Sequence, residues 1–178
     1  GPYSDKPAYD YIVQALTGVM SLTGEPGGVP TKAGYSAVDN STGMMGAIGM
    51  LAKIIEGKGG QVDISLFDTM LSQLNYLASG YLNHGIVPER MPNSAHPYMV
   101  PAQVFPSRDG YVMLFVSTDK FWHKFCDVVG WAEQATDSLF ATMDARLENR
   151  DAVIKAVQTL MKTRTTAEWV TLLGGEGI

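Results

Sequence analysis

Residues 42–55 read TGMMGAIGMLAKII, fourteen positions with a single charge and a glycine at every third place, Gly43, Gly46 and Gly49. A segment of this length and regularity predicts a helix, and one so uniformly apolar predicts burial on most of its sides. Each glycine costs about 1 kcal/mol of helix propensity relative to alanine. Close approach of another backbone along that narrow stripe is the expected compensation. No apolar run comes near the roughly 20 residues that crossing a bilayer takes.

One carboxylate, Asp39, stands at the mouth of this helix in GYSAVDNSTGMM. An acid just before an apolar helix is an ordinary N-cap. Yet Asn40, Ser41 and Thr42 are each able to cap, so that duty does not require Asp39. A carboxylate beside the unpaired amides of a helix start also stays ionised, which is the state a nucleophile needs. On the residues alone, the capping and the chemical readings stand side by side.

Around it, PAYDYIVQALTGVMSLTGEPGG carries Tyr9, Ile12, Val13, Leu16, Val19 and Met20 at helical spacing, with Gly24 to Gly28 as its stop. After the turn EGKGG, the alternation in QVDISLF predicts a short strand, and Asp68 opens another helix, DTMLSQLNYLASGYLN. HGIVPERMPNSAHPYMVPAQVFP then holds five prolines in 23 residues and no helical period. It reads as a connector between packed units, long enough to be a functional segment. Beyond it, AQVFP and RDGYVMLFV form a hairpin, and TDKFWHKFCDVVG a helix capped by Thr118 or Asp119 and stopped by Gly130. DARLENRDAVIKAVQTLMKT is one further helix, and TTAEWVTLLGG another, opened by Thr165 or Thr166 with Glu168 close behind. The expected organisation is a helical region over 1–80, a linker over 81–103 and a small α/β region over 104–178.

Hydrophobic residues make up 46% of the chain, enough for a real core. Thirteen Lys and Arg against eighteen Asp and Glu, with no run of either sign, lack the basic footprint of a nucleic-acid binder. The single cysteine, Cys126, excludes a disulfide framework, reads as a small core residue and points to a reducing compartment, with His123 a surface neighbour. Three scattered histidines make no metal site by spacing. GMMGAIG is not a dinucleotide fingerprint, EGKGG is not a phosphate loop, and no serine sits in a nucleophile elbow. The start, GPYSDKPAYD, has no signal-peptide character, and Asn40-Ser41-Thr42 is only a formal glycosylation sequon. With Gly rather than Met at position 1 and LLGGEGI at the end, both termini read as cut, and a longer protein is expected.

The stretch from GPYSDKPAYDYIVQAL through AVDNSTGMMGAIGMLAKIIEGKGGQVDISLFDTML, followed by NSAHPYMVPAQVFPSRDGYVML and FWHKFC, resembles the middle of a class III (CaiB/BaiF-type) CoA-transferase, the family that includes formyl-CoA transferase and carnitine CoA-transferase. The ordered series covers essentially the whole chain. The resemblance implies an α/β fold class: part of a large Rossmann-like domain, a linker and a small α/β domain, in two chains interlocked as a homodimer. It implies transfer of coenzyme A from an acyl-CoA to a free carboxylic acid without metal, and the charge balance, the short apolar runs and the lone cysteine set nucleic acid and membrane aside and point to the cytoplasm. Asp39 falls on the family's catalytic aspartate, which forms an acyl anhydride and then an aspartyl-CoA thioester. Tyr9 and Asp10 match a tyrosine-acid pair lining the active site, as substrate-positioning groups. Pro92 to Pro97 replaces a glycine-rich closing loop, so Asn93, Ser94 and His96 either contact the acceptor acid or only shape the connector.

Two alternatives accompany this reading. A sibling, alpha-methylacyl-CoA racemase, uses the same fold for proton transfer but places a histidine before the acid of the first helix. Here that place is held by Tyr9, whose hydroxyl normally titrates near 10, a poor match to the task. The other is a truncated relative that only binds acyl-CoA or dimerises. By itself the fragment is expected to be inactive.

Overall fold

The structure, a computed structural model, describes residues 3–178. Gly1 and Pro2, where the sequence reads as cut, lie outside the described residues. The chain divides into two compact units, the first ending at Arg90 and the second spanning Met91–Ile178. The class is mixed α/β, mostly helical with one two-stranded sheet.

In the N-terminal unit the expected first helix is two: α1 (Asp10–Leu16) and α2 (Val19–Leu22), parted by Gly18 at φ 82°. A left-handed backbone angle ends an α-helix, and glycine adopts it without steric cost. The next helix, α3 (Ala37–Glu56), begins five residues earlier than the apolar run suggested and places Asp39 inside its first turn. Gln61–Ile64 form no strand; Ser65 instead accepts the Asp68 N–H and opens α4 (Leu66–Ser72). A break follows at Gln73 and Leu74, and α5 (Asn75–His84) ends on Gly85 at φ 68°.

The expected burial of α3 does not hold within this chain. Of its twenty residues only Ala37 and Val38 are buried, while Met44, Ile48, Leu51 and Ile54 are exposed and Ile55 keeps 86% of its surface. The glycine stripe is likewise open at Gly43 and Gly46. Only Gly49 is required by packing, since a Cβ there would lie 2.5 Å from Val62 Cγ1. The core of this unit is accordingly small: Val13 of α1, Val38 of α3 and Met70 of α4, flanked by Val19, Leu66 and Phe67.

The C-terminal unit is better filled. A single 3₁₀ turn (Pro92–Ser94) leads to β1 (Ala102–Pro106), which pairs antiparallel with β2 (Tyr111–Phe115) in the register Gln103 to Leu114 and Phe105 to Val112. Then come α6 (Asp119–Val129), α7 (Ala132–Thr136), α8 (Met143–Glu148), α9 (Arg150–Met161) and α10 (Thr166–Gly175). Thr118 caps α6 and Gly130 stops it at φ 78°, while Thr165 and Glu168 form a reciprocal capping box on α10. The single helix expected over 144–163 is split at Asn149, whose amide donates to the Ala145 carbonyl and competes with the helical ladder. Val153, Val157 and Met161 of α9 and Trp169 and Leu173 of α10 recur every four residues and meet Phe105, Leu114, Trp122 and Phe125. Both buried tryptophans satisfy their indole N–H, Trp122 on Gln134 O at 3.3 Å and Trp169 on Met161 O at 2.7 Å. Cys126 lies in this core and His123 is exposed. Burial pushes the Cys126 thiol up to about 12.

One charge is built into that core. Arg146 of α8 is wholly buried and donates to Val100 O at 2.7 Å, Phe140 O at 2.8 Å and Asp119 Oδ1 at 2.9 Å, with its guanidinium 5.0 Å from the Trp122 ring. A buried guanidinium is tolerable only when its donors are met in this way.

Candidate active site

The start of α3 lacks its own side-chain cap. Ser36, at the N-cap position, makes no capping hydrogen bond. The acceptor comes from α1 instead: Asp10 Oδ2 takes the N–H of Val38 at 2.8 Å and that of Asp39 at 3.2 Å. This replaces a local cap with a carboxylate 28 residues away in sequence and sets negative charge against the positive end of the helix. Asp10 is itself 6% exposed, and its other oxygen, Oδ1, accepts from Gln14 Nε2 at 2.6 Å. Gln14 completes the chain of bonds through Oε1, which accepts the Ala33 N–H at 2.8 Å.

Asp39 therefore caps nothing. Its side chain is exposed on the first turn, and among the described residues no hydrogen bond engages its carboxylate. The adjacent pair on α1 splits in role: Asp10 turns inward to hold the backbone of Asp39, whereas Tyr9 is 71% exposed at the N-cap of α1. Gln14 gave one usable signal in the sequence, an amide four residues after an acid on the same helix face. Its link to Ala33 gave none.

The other three candidates belong to the C-terminal unit. Asn93 and Ser94 are exposed and take left-handed backbone angles, φ 54° and 56°, a conformation that glycine adopts freely and other residues at a cost. His96 is half-buried: its N–H donates to Ala102 O at 2.8 Å and its Nδ1 accepts from the Tyr98 N–H at 3.1 Å. Burial, and then the positive charge of Arg150, holds its imidazole below the usual histidine range. Arg150, which the sequence did not single out, donates to Pro97 O at 2.8 Å and His96 O at 3.2 Å and fixes the chain on either side of that bond.

Asp39 lines none of the apolar hollows found among the described residues of the N-terminal unit: an open one of about 410 Å³ lies beside Met50, Ile54 and Val62, and two more border α4. One of about 660 Å³ is bordered by Leu22, Leu71, Leu77, Tyr81 and Val87. The other, of about 380 Å³, is bordered by Tyr3, Ile12, Leu16, Leu66 and Phe67. Among the described residues no three His, Cys, Asp or Glu side chains are placed to hold a metal ion, and no helix is long and apolar enough to cross a membrane.

A family model described as CoA-transferase family III matches residues 1–178. The acetyl-CoA:oxalate CoA-transferase of Acetobacter aceti is 33% identical over 183 residues, which cover 100% of this chain and 47% of that protein. The succinate–glutarate CoA-transferase of Agrobacterium fabrum is 37% identical, over 89% of this chain and 40% of its own length. Among solved structures, a CaiB/BaiF family protein from Brucella suis superposes with a TM-score of 0.75 at 34% identity, covering 100% of this chain and 48% of that one. The chain thus spans less than half the length of each of these relatives.

Proposed function

Because this chain belongs to CoA-transferase family III, we propose that the protein containing it moves coenzyme A from an acyl-CoA donor to a free carboxylic acid, with Asp39 as the acyl acceptor. The observation that carries the reading is the division of labour at the start of α3. Asp10 meets the helix amides, and the Asp39 carboxylate stays exposed and uncommitted.

In the proposed cycle an Asp39 oxygen attacks the thioester carbonyl of the donor, the C–S bond breaks and CoA leaves as thiolate. That thiolate attacks the Asp39 carbonyl carbon of the mixed anhydride, releases the donor acid as carboxylate and leaves an aspartyl-CoA thioester. The acceptor carboxylate then displaces the thiolate from Asp39 to give a new anhydride. Attack of the thiolate on the acceptor's carbonyl frees Asp39 and completes the new acyl-CoA. A carboxylate suits this work because its anhydride keeps the acyl group activated: the anhydride lies above the thioester, the thiolate held nearby attacks it downhill, and one difficult exchange is split into easier steps. Water would hydrolyse both intermediates and has to be excluded. We assign that exclusion to the rest of the protein and to a second subunit, packed on apolar surface such as the bare side of α3. Asp10 acts as a positioning group and Tyr9 lines the substrate. Asn93, Ser94 and His96 shape the connector, and the setting is the reducing cytoplasm.

The test is to incubate the full-length protein with a panel of acyl-CoA esters and carboxylic acids, add hydroxylamine and analyse the Asp39 peptide by mass spectrometry. A hydroxamate at Asp39 is expected. Its absence from an enzyme that turns over removes Asp39 from the mechanism. Asp39→Asn should lower transfer by more than about 1,000-fold while changing stability by less than about 1 kcal/mol, the size of a first-turn charge effect.

A further inference from the structure

We propose that Gln14 is a positioning residue for transfer, aiming Asp39 by way of Asp10. The inference rests on the reading of Asp39 as the acyl acceptor. It starts from a side chain that ordinary packing does not explain: a primary amide with 0% of its surface exposed, on a short helix, beside a carboxylate that is also buried. A buried amide is tolerated only when its polar atoms are met. Here the two partners are of opposite kind, which fixes its orientation. The atom facing the Ala33 N–H must be the oxygen, and the atom facing Asp10 Oδ1 must be the nitrogen.

That orientation has a geometric consequence. The two oxygens of a carboxylate are rigidly related, so holding Asp10 Oδ1 at 2.6 Å also sets the direction of Oδ2, the atom on which the N–H groups of Val38 and Asp39 converge. Through its oxygen the same amide holds Ala33, six residues before Asp39 in the loop that delivers the chain to α3. Gln14 thus ties down both the approach to the first turn and the turn itself, using one donor and one acceptor. Without it Asp10 would still face the two helix-start amides but lose the contact that selects its rotamer. The Asp39 backbone would then follow an anchor with more than one position. Misplacing a reacting group by about 1 Å costs on the order of 100-fold in rate, because the attacking oxygen and the thioester carbon must meet in a narrow range of approach.

The experiment uses the full-length protein. Wild type is first subjected to hydroxylamine trapping, and failure to label Asp39 during turnover overturns the reading beneath this proposal rather than the contribution of Gln14 alone. With wild type labelled, Gln14→Met removes both polar contacts at similar volume, and Gln14→Glu keeps the acceptor for Ala33 but replaces the donor to Asp10. Both should lower kcat, and the rate of Asp39 hydroxamate formation, by about 10- to 100-fold, with KM for acyl-CoA within about twofold. Asp10→Asn combined with Gln14→Met should be no slower than the slower single variant, because the two act as one device. If Gln14→Met does not fold, Gln14→Glu and its combination with Asp10→Asn carry the same readings. A folded Gln14 variant with wild-type kcat, or losses that multiply in the double variant, overturns the proposal.

Discussion

Asp10 holds the backbone of Asp39: one oxygen of its buried carboxylate accepts the Asp39 N–H at 3.2 Å and the neighbouring Val38 N–H at 2.8 Å. The acid that fixes the turn and the acid proposed to react are therefore different residues on different helices. Removing the first should cost mainly stability, together with any activity that depends on aim. Replacing Asp10 by Ala leaves two helix-start amides and the Gln14 amide without an acceptor. A loss of about 1–3 kcal/mol in denaturant unfolding is expected, and Asp10→Asn, which keeps one carbonyl oxygen, should lose less.

Arg146 supports a second prediction, confined to the C-terminal unit. Arg146→Met removes the hydrogen bonds to Val100 O, Phe140 O and Asp119 and strands the buried Val100 carbonyl. Urea denaturation should show a loss of roughly 3 kcal/mol. Asp119 is 47% exposed at its side chain and can be rehydrated, so Asp119→Asn should cost no more than about 1 kcal/mol.

The junction between the hairpin and α10 should weaken in acid. Asp109 sits below its ordinary value, chiefly because its carboxylate accepts the Thr166 N–H, and Glu168 sits below its own because it accepts the Thr165 N–H. An acid with a depressed folded value stabilises the fold in full above its unfolded value, and that contribution is lost as pH falls through the folded one. Stability measured downward from the ordinary values of 4.5 for Glu168 and 3.8 for Asp109 should fall more steeply in wild type than in Asp109→Asn or Glu168→Gln. Equal slopes would show that these contacts do not persist in solution.

Cys126 should be inert while the fold lasts. With its thiol buried and pushed up to about 12, almost no thiolate is present at neutral pH, and thiolate is the form that alkylates. Iodoacetamide labelling should track unfolding in denaturant. Rapid labelling of native protein would contradict the packing of α6.

These features differ in how far they were legible in the sequence. Thr118, Gly130, Thr165 and Glu168 act within four residues of what they terminate, and so they were readable as helix signals. Asp10 was reached only through a family resemblance, because a cap supplied from 28 residues away leaves no local trace. That same distant cap explains why α3 starts at Ala37 and not at the first uninterrupted apolar residues: Ser36, Asn40 and Ser41 look like a loop, but the acceptor is elsewhere. QVDISLF alternates as a strand does, yet the described N-terminal unit offers no strand to pair with it, and Ser65 draws its last two residues into α4. The apolar face of α3 was legible as a face that wants covering; what covers it is not within residues 37–56 or their neighbours.

That bare helix has a practical side. The unit that carries Asp39 closes over only Val13, Val38 and Met70, so its cohesion as an isolated polypeptide is modest, and its greasy flank invites self-association or adsorption of hydrophobic dyes. The unit built around Trp122 and Trp169 holds its own interior, which makes it the sounder choice for anyone wishing to express one piece alone.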